Sequence, residues 1–306
     1  MTPPTLLAVP NVSEGRDGPV IERIGASVKD GDAARARLLD VHSDADHDRS
    51  VFTLAAPPQA LSAAIVRLAG AAIEAIDLAA PGRTGQHPHV GALDVAPVVY
   101  LRMEDRGAAC AEALVIAERV GTELRIPVFL YGELTARDPG GGRTRASLRR
   151  GGLTGLADRM AGRGEEGERL APDFGPAAID PRTGATLVAA RPPLVAFNLQ
   201  LAPPATLSDA RRIAAIVREG GEGGLPGLRA IGVELAGGVA QVSMNVEQPL
   251  EVPLAEVVLA VRALAEVADA ELVGLAPAAA LDGFPEDLAI HGFDPARHVI
   301  ENALGS

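Results

Sequence analysis

Thr84-Gly85-Gln86-His87-Pro88-His89-Val90-Gly91-Ala92-Leu93-Asp94-Val95 runs from a Gly/Pro-rich turn into an apolar stretch. Apolar residues continue beyond it, so the pattern predicts a long strand over His89–Leu101, bent at Pro97. Leu61–Ile76, rich in Ala, Leu and Ile, lies before it and reads as a helix, as does Ala108–Glu123 after it. Further out, Leu6–Val12, Ala36–Val41, Ser50–Ala55 and Pro127–Tyr131 read as strands, and Pro19–Val28 as a helix. Strands separated by amphipathic helices indicate an α/β protein.

The alternation resumes near Leu194. Leu194–Leu201 reads as a strand and Leu207–Arg218 as a helix capped by Ser208 or Asp209. Strands Leu228–Leu235 and Val239–Val246 flank Ala236-Gly237-Gly238, a hairpin signal. Pro253–Val267 reads as a helix with proline at its start, and Glu271–Leu275 as a closing strand. Two α/β halves are expected, 1–193 and 194–306. Pro139–Thr144 reads as a Gly-rich loop without the Gly-Lys-Ser/Thr of a phosphate-binding loop, and acidic Gly162–Leu170 as a solvated linker.

Composition narrows the function classes. The chain has 306 residues, 47% of them hydrophobic, and no apolar run reaches the length of a spanning helix. The N-terminal Met1-Thr2-Pro3-Pro4-Thr5 has no basic region of a signal peptide, so a cytoplasmic protein is expected. The net charge of −12 argues against nucleic acid and anionic membrane surfaces as partners. The single cysteine, Cys110, sits in a helical pattern and is expected as a buried core thiol. Lys29 is the only lysine, at the end of an expected helix, so lysine-based covalent catalysis has one candidate.

Histidine is the side chain suited to proton transfer near neutral pH, and the chain has six. His87 and His89 stand at the expected turn-to-strand junction, where ordinary hydrogen-bonded surface histidines are also common. A second cluster, His42-Ser43-Asp44-Ala45-Asp46-His47-Asp48-Arg49, follows the strand ending at Val41, at a strand end where α/β folds place sites. On spacing alone a metal centre is open: His87 and His89 at i, i+2 share a strand face, and His42, His47, Asp44 and Asp94 are further possible ligands.

Several motifs, in order, resemble those of the glutamate formiminotransferase family. They are Val9-Pro10-Asn11-Val12-Ser13-Glu14-Gly15-Arg16, Arg49-Ser50-Val51-Phe52-Thr53, Gly85-Gln86-His87-Pro88 with Gly91-Ala92-Leu93-Asp94-Val95, and Leu130-Tyr131-Gly132. Pro172-Asp173-Phe174-Gly175-Pro176, Ala196-Phe197-Asn198, Gly224-Leu225-Pro226-Gly227, Ala240-Gln241-Val242-Ser243-Met244-Asn245 and Gly292-Phe293-Asp294-Pro295 follow. The resemblance covers nearly the whole chain. It implies an α/β fold of the α+β type, with N- and C-terminal formiminotransferase subdomains, each a β-sheet covered by helices, facing across a folate-binding tunnel. It also implies a homodimer and an enzyme that moves a formimino group between N-formimino-L-glutamate and N5 of tetrahydrofolate, the co-substrate, in one-carbon metabolism and histidine degradation. The cyclodeaminase domain fused to some relatives is expected to be absent here.

In that family His87 occupies the position of the catalytic histidine, the expected general acid/base. His42, Asp48, Arg49, His89, Asp94, Asp173, Gly175, Pro176, Gly184, Arg191 and Asn198 are the expected substrate- and folate-binding residues, and no metal is implied. Both substrates are carboxylates, and guanidinium grips carboxylate with two prongs. Arg49 and Arg191 match motif positions; Arg145, Arg149 and Arg150 are further candidates among what are mostly surface charges.

The chain departs from the family at several motifs. Glu-His-Pro-Arg becomes Gln86-His87-Pro88-His89, which removes a carboxylate fork. His42 stands where the family often has an acid, Asp48-Arg49 replaces Asn-Arg, and Gly82-Arg83-Thr84 lacks an upstream histidine. Arg150-Gly151-Gly152-Leu153-Thr154 replaces Arg-Gly-Glu/Gln-Phe/Tyr-Glu. Alternatives therefore stay open: a paralogue moving a formimino or formyl group to or from another small amine, a folate-binding protein without turnover, or a metal-dependent hydrolase using His42, His47, His87 and His89.

Overall fold

In the computed structural model, residues 3–29, 35–81, 89–136, 142–167 and 169–305 are described. The chain divides into two compact units, Met1–Pro192 and Pro193–Ser306.

The first unit is built on strands β1 (Leu6–Ala8), β2 (Asn11–Val12), β3 (Arg37–Asp44), β4 (Arg49–Ala56), β5 (Leu93–Val99), β6 (Val128–Leu130) and β7 (Thr186–Arg191). Helices α1 (Gly18–Ala26), α2 (Ala60–Ala75), α3 (Arg106–Glu123), α4 (Arg145–Arg149) and α5 (Gly152–Met160) complete it. Across the sheet, β3 pairs with β4, β4 with both β1 and β2, these with β5, and then come β7 and β6. The β5–β7 and β7–β6 pairings are parallel and the rest antiparallel.

The expected strand Leu6–Val12 is broken into β1 and β2 at Val9-Pro10. The break lies opposite Pro97, so two residues without an N–H meet where little ladder is lost. Val9 N donates to Pro97 O (3.1 Å) and Phe52 N to Pro10 O (2.9 Å). The expected strand His89–Leu101 begins only at Leu93, because Val90 N is taken by the Asp94 side chain and Gly91 bridges to Gly184. Helices α4 and α5 and strand β7 are additions to the elements read from sequence.

Alternation along β4 sorts the two faces of this sheet. Phe52, Leu54 and Ala56 face a core formed with Ile24 of α1, Leu61, Ile65 and Leu68 of α2, and Ile116 of α3. On the opposite face Val95, Phe129, Leu187 and Ala189 pack under Leu148, Leu156 and Met160 of α4 and α5. Beyond that cover the same face turns polar: Asp40, His42 and Asp44 of β3 pair with Thr53, Val51 and Arg49 of β4, and Val51 pairs with Asn11.

Helix α2 has no side-chain cap of its own. Buried Glu112 of α3 supplies one, its Oε1 accepting Gln59 N at 2.8 Å and Ser62 N at 2.7 Å. A carboxylate there meets the positive end of the helix dipole. Cys110, expected as a core thiol, is only partly buried, and burial with nearby Glu133 pushes its pKa up.

The second unit is a four-stranded antiparallel sheet of β8 (Val195–Leu201), β9 (Leu228–Leu235), β10 (Val239–Val246) and β11 (Val267–Val273), ordered β11-β8-β10-β9. Its helices are α6 (Leu207–Val217), α7 (Leu254–Arg262), α8 (Pro295–His298) and α9 (Ile300–Gly305). Phe197, Leu199, Val242 and Met244 face Ile213 and Val217 of α6 and Val257, Val258 and Val261 of α7. Thr206, not Ser208 or Asp209, caps α6; Asp209 is the reciprocal partner of its capping box. The helix expected over Pro253–Val267 ends at Arg262, since Val267 already belongs to β11, whose pairing with β8 starts there.

Glu112→Ala strips the buried N-terminus of α2 of two charge-assisted hydrogen bonds. It is predicted to lower unfolding stability by about 2–3 kcal/mol, measured by urea denaturation.

Candidate active site

Two close backbone approaches shape the polar end of the first sheet. Gly15 lies against the β3–β4 hairpin, where an added Cβ would stand 2.1 Å from Asp44 O. Gly91 and Gly184 form a bridge, and a Cβ on Gly91 would stand 1.9 Å from Ala185 O. Only glycine is admitted at either contact. The β2–α1 loop, the hairpin, the head of β5 and the head of β7 are thereby drawn together. Hydroxyls reinforce the contacts: Ser13 Oγ donates to Gly91 O (2.8 Å) and Ser50 Oγ to Glu14 O (2.5 Å).

Asp94 stands at the head of β5, 2% exposed, accepting Val90 N at 2.7 Å and forming an ion pair with Arg149 at the end of α4. Arg49, at the start of β4, is drawn down to about pKa 10 by burial and by the neighbouring cations Arg149 and Arg145, with Asp44 and Asp94 working in the other direction. Three arginines, Arg49, Arg145 and Arg149, thus stand near two carboxylates, Asp44 and Asp94, and the excess of cations makes the spot receptive to an anion. The Arg149 Nε is buried without a hydrogen-bond partner among the described residues. The backbone carrying Arg149 is held by buried Arg159, whose guanidinium donates to Ser147 O (2.9 Å), Leu148 O (2.6 Å) and Arg150 O (3.3 Å). Arg159 escaped the sequence reading, since a clamp onto carbonyls leaves no motif.

In the hairpin, Asp44 Oδ2 meets His47 Nδ1 at 2.5 Å and Oδ1 accepts His47 N (2.9 Å) and Asp46 N (2.8 Å). Burial alone would raise the Asp44 pKa, but the bonds from His47 and Asp46 outweigh it and hold the carboxyl at about 2.

The expected site residues divide between several places. His42, Asp48, Arg49 and Asp94 belong to the polar end of the first sheet. Asp48, buried at φ 49°, accepts Gly15 N at 3.3 Å and so ties the hairpin to the β2–α1 loop. His89 is half-buried just before Val90, outside any strand. His87 lies in 82–88, outside the described residues. Asp173 and Gly175 pin their loop to the core: Asp173 accepts Leu130 N (2.7 Å) and pairs with Arg143, while a Cβ on Gly175 would meet Ile126 O at 2.2 Å. Pro176 is half-buried in that loop, which ends at Gly184 beside Gly91. Arg191 is at the far end of β7, about 20 Å from Gly184 at strand rise, donating to Pro192 O (3.0 Å). Asn198 is buried in the second unit, donating to Glu271 Oε2 at 2.8 Å. Among the described residues no three His, Cys, Asp or Glu side chains form a group able to hold a metal ion, and no helix is long and apolar enough to cross a membrane.

The family model described as the formiminotransferase domain, N-terminal subdomain, matches residues 5–191. The glutamate formimidoyltransferase of Streptococcus pyogenes serotype M1 is 36% identical over 304 residues, covering 97% of this chain and 97% of that one. This chain belongs to the formiminotransferase family. It is accordingly a transferase. The glutamate formimidoyltransferase of Thermoplasma acidophilum is 32% identical, covering 94% of this chain and 93% of its own. The formimidoyltransferase-cyclodeaminase of Gallus gallus is 36% identical across 89% of this chain, which spans about half (50%) of that larger protein.

Asp44→Asn tests the hairpin. The carboxyl is held at about 2, below the ordinary aspartate value of 3.8, so the stabilisation is present above about pH 4 and is lost as pH falls through 2. The variant is predicted to be about 2 kcal/mol less stable than wild type at pH 6, a gap that closes toward zero near pH 2 in urea denaturation.

Proposed function

We propose that this transferase moves a formimino group from N-formimino-L-glutamate to N5 of tetrahydrofolate. The observation that carries the reading is the Arg49–Arg145–Arg149 cluster over buried Asp94, in a formiminotransferase-family chain whose His87 stands seven residues before Asp94. The donor is a dicarboxylate, and such a cluster offers its carboxylates cationic forks in a partly dry setting, where charge-assisted bonds are strongest. Arg149 is prevented by Asp94 from folding away, and the mutual repulsion of the cations is relieved when an anion arrives.

N5 of tetrahydrofolate attacks the amidine carbon, forming a C–N bond and a tetrahedral intermediate. His87 takes the proton released from N5 and delivers it to the glutamate nitrogen. The C–N bond to glutamate then breaks, and glutamate leaves as the amine with the formimino group on N5. A histidine suits both proton transfers, because its ordinary pKa lies near the working pH. In this reading His42, Asp48, Arg49, His89, Asp94, Asp173, Gly175, Pro176, Gly184, Arg191 and Asn198 are the substrate- and folate-binding residues, with tetrahydrofolate as co-substrate. The second unit acts as the family's C-terminal subdomain, and the protein works as a cytoplasmic homodimer.

Pure protein incubated with tetrahydrofolate and N-formimino-L-glutamate is predicted to turn over, read as the absorbance of the folate product after acid conversion. His87→Ala is predicted to lower kcat by about 10²–10⁴-fold with an unchanged melting temperature. A wild type without turnover, or a His87→Ala variant at wild-type rate, contradicts the proposal.

A further inference from the structure

Helix α4 is five residues long, too short to hold its shape in water unaided. A capping box closes its N-terminus: Thr144 Oγ1 accepts Ser147 N (3.0 Å) and Ser147 Oγ accepts Thr144 N (3.2 Å). Its C-terminus runs into Arg150-Gly151-Gly152, where both glycines take left-handed backbone, φ 74° and 63°. Two successive glycines make this junction a hinge between α4 and α5, because no side chain restricts the turn. Helix α4 carries Arg145 and Arg149, so the angle of the hinge decides where two of the three site arginines stand.

Arg159, on α5, spans the hinge and is 5% exposed. Its Nη1 donates to Ser147 O (2.9 Å) and its Nη2 to Leu148 O (2.6 Å) and Arg150 O (3.3 Å), while Nε donates to Gly155 O (3.2 Å) of its own helix. Two of these carbonyls belong to α4, one to the hinge and one to α5. They are of the kind that the end of a short helix leaves unsatisfied. Gly155 lets the hinge come this close to α5, since a Cβ there would stand 2.6 Å from Arg150 O. Leu148, Leu156 and Met160 already join the two helices by apolar contact. Apolar contact has no direction, whereas a planar guanidinium with several donors fixes an angle. The ion pair with Asp94 holds the tip of Arg149. An anchor at that one point leaves the helix free to swing about it, and Arg159 fixes the backbone end.

We propose that Arg159 is a positioning residue for donor recognition: by locking the Gly151-Gly152 hinge it holds Arg145 and Arg149 at the spacing a dicarboxylate donor requires, an inference that rests on the donor reading above. Arg159 acts through α4 and supplies no group to the reacting atoms. Its loss therefore loosens the grip on the donor's carboxylates and leaves the proton transfers of His87, on a different segment, intact. Lysine brings the charge without the planar fork, so it replaces arginine only in part.

The test is steady-state kinetics with each substrate varied, on wild type, Arg159→Met and Arg159→Lys. Calorimetric binding of N-formimino-L-glutamate and of an N-formimino-alkylamine, and the melting temperature of each protein, accompany it. Arg159→Met is expected to raise the donor KM about tenfold or more, with kcat and the tetrahydrofolate KM within about twofold of wild type. Its preference for the carboxylate-bearing ligand over the truncated one is expected to fall about tenfold, and Arg159→Lys is expected to lie between the two proteins. An unchanged donor KM in both variants overturns the inference and leaves the proposed function standing. Equal weakening of the two ligands, or a fall in kcat and melting temperature at wild-type donor KM, assigns Arg159 a purely structural role and also overturns it. If Arg159→Met yields no folded protein, Arg159→Lys decides: a raised donor KM supports the inference and a wild-type value overturns it. A wild type without turnover overturns the proposed function and this inference together.

Discussion

The Asp94–Arg149 pair is the constraint on which the site depends. A carboxylate 2% exposed and a guanidinium 7% exposed would each be costly alone. Together they fix where α4 lies over the head of β5, and α4 carries Arg145 as well. Two acids, Asp94 and Asp44, stand near three arginines, and burial first and then the neighbouring cations Arg149 and Arg145 draw the Arg49 pKa down. A fold optimised only for stability would not gather cations in this way. The surplus is the physical argument for an anionic ligand.

Around the pair, backbone is packed against backbone. Gly15, Gly91 and Gly184 let the hairpin, β5 and β7 approach to distances no side chain tolerates, and Arg159 secures the carbonyl end of α4. These contacts leave the functional groups at the ends of regular elements, where their rotamers are held from below.

Much of this was legible from residue pattern. The β9–β10 hairpin reads directly from alternation around Gly237-Gly238, and α2 and α3 from their Ala-rich periodicity. Elements whose cause is tertiary were not legible. β7 is a short apolar run, buried between parallel neighbours and lacking alternation. Helix α5 contains Gly152 and Gly155, poor helix formers held in place by packing of Leu156 and Met160. At the site, Asp94 could be quoted from its motif, but its partner Arg149 is 55 residues away in sequence, and nothing in spacing singles it out from the neighbouring arginines. Arg191 shares the chemistry of Arg49 on paper, yet the geometry of β7 carries it to the far end of the strand.

The most direct test of the account is a calorimetric comparison of two ligands on the wild-type protein: N-formimino-L-glutamate and an N-formimino-alkylamine with the same amidine and no carboxylate. If the arginine cluster holds the donor by its carboxylates, the truncated ligand binds about 100-fold more weakly or worse, the equivalent of one or two charge-assisted pairs. Equal affinity for the two ligands would contradict the role assigned to Arg49, Arg145 and Arg149.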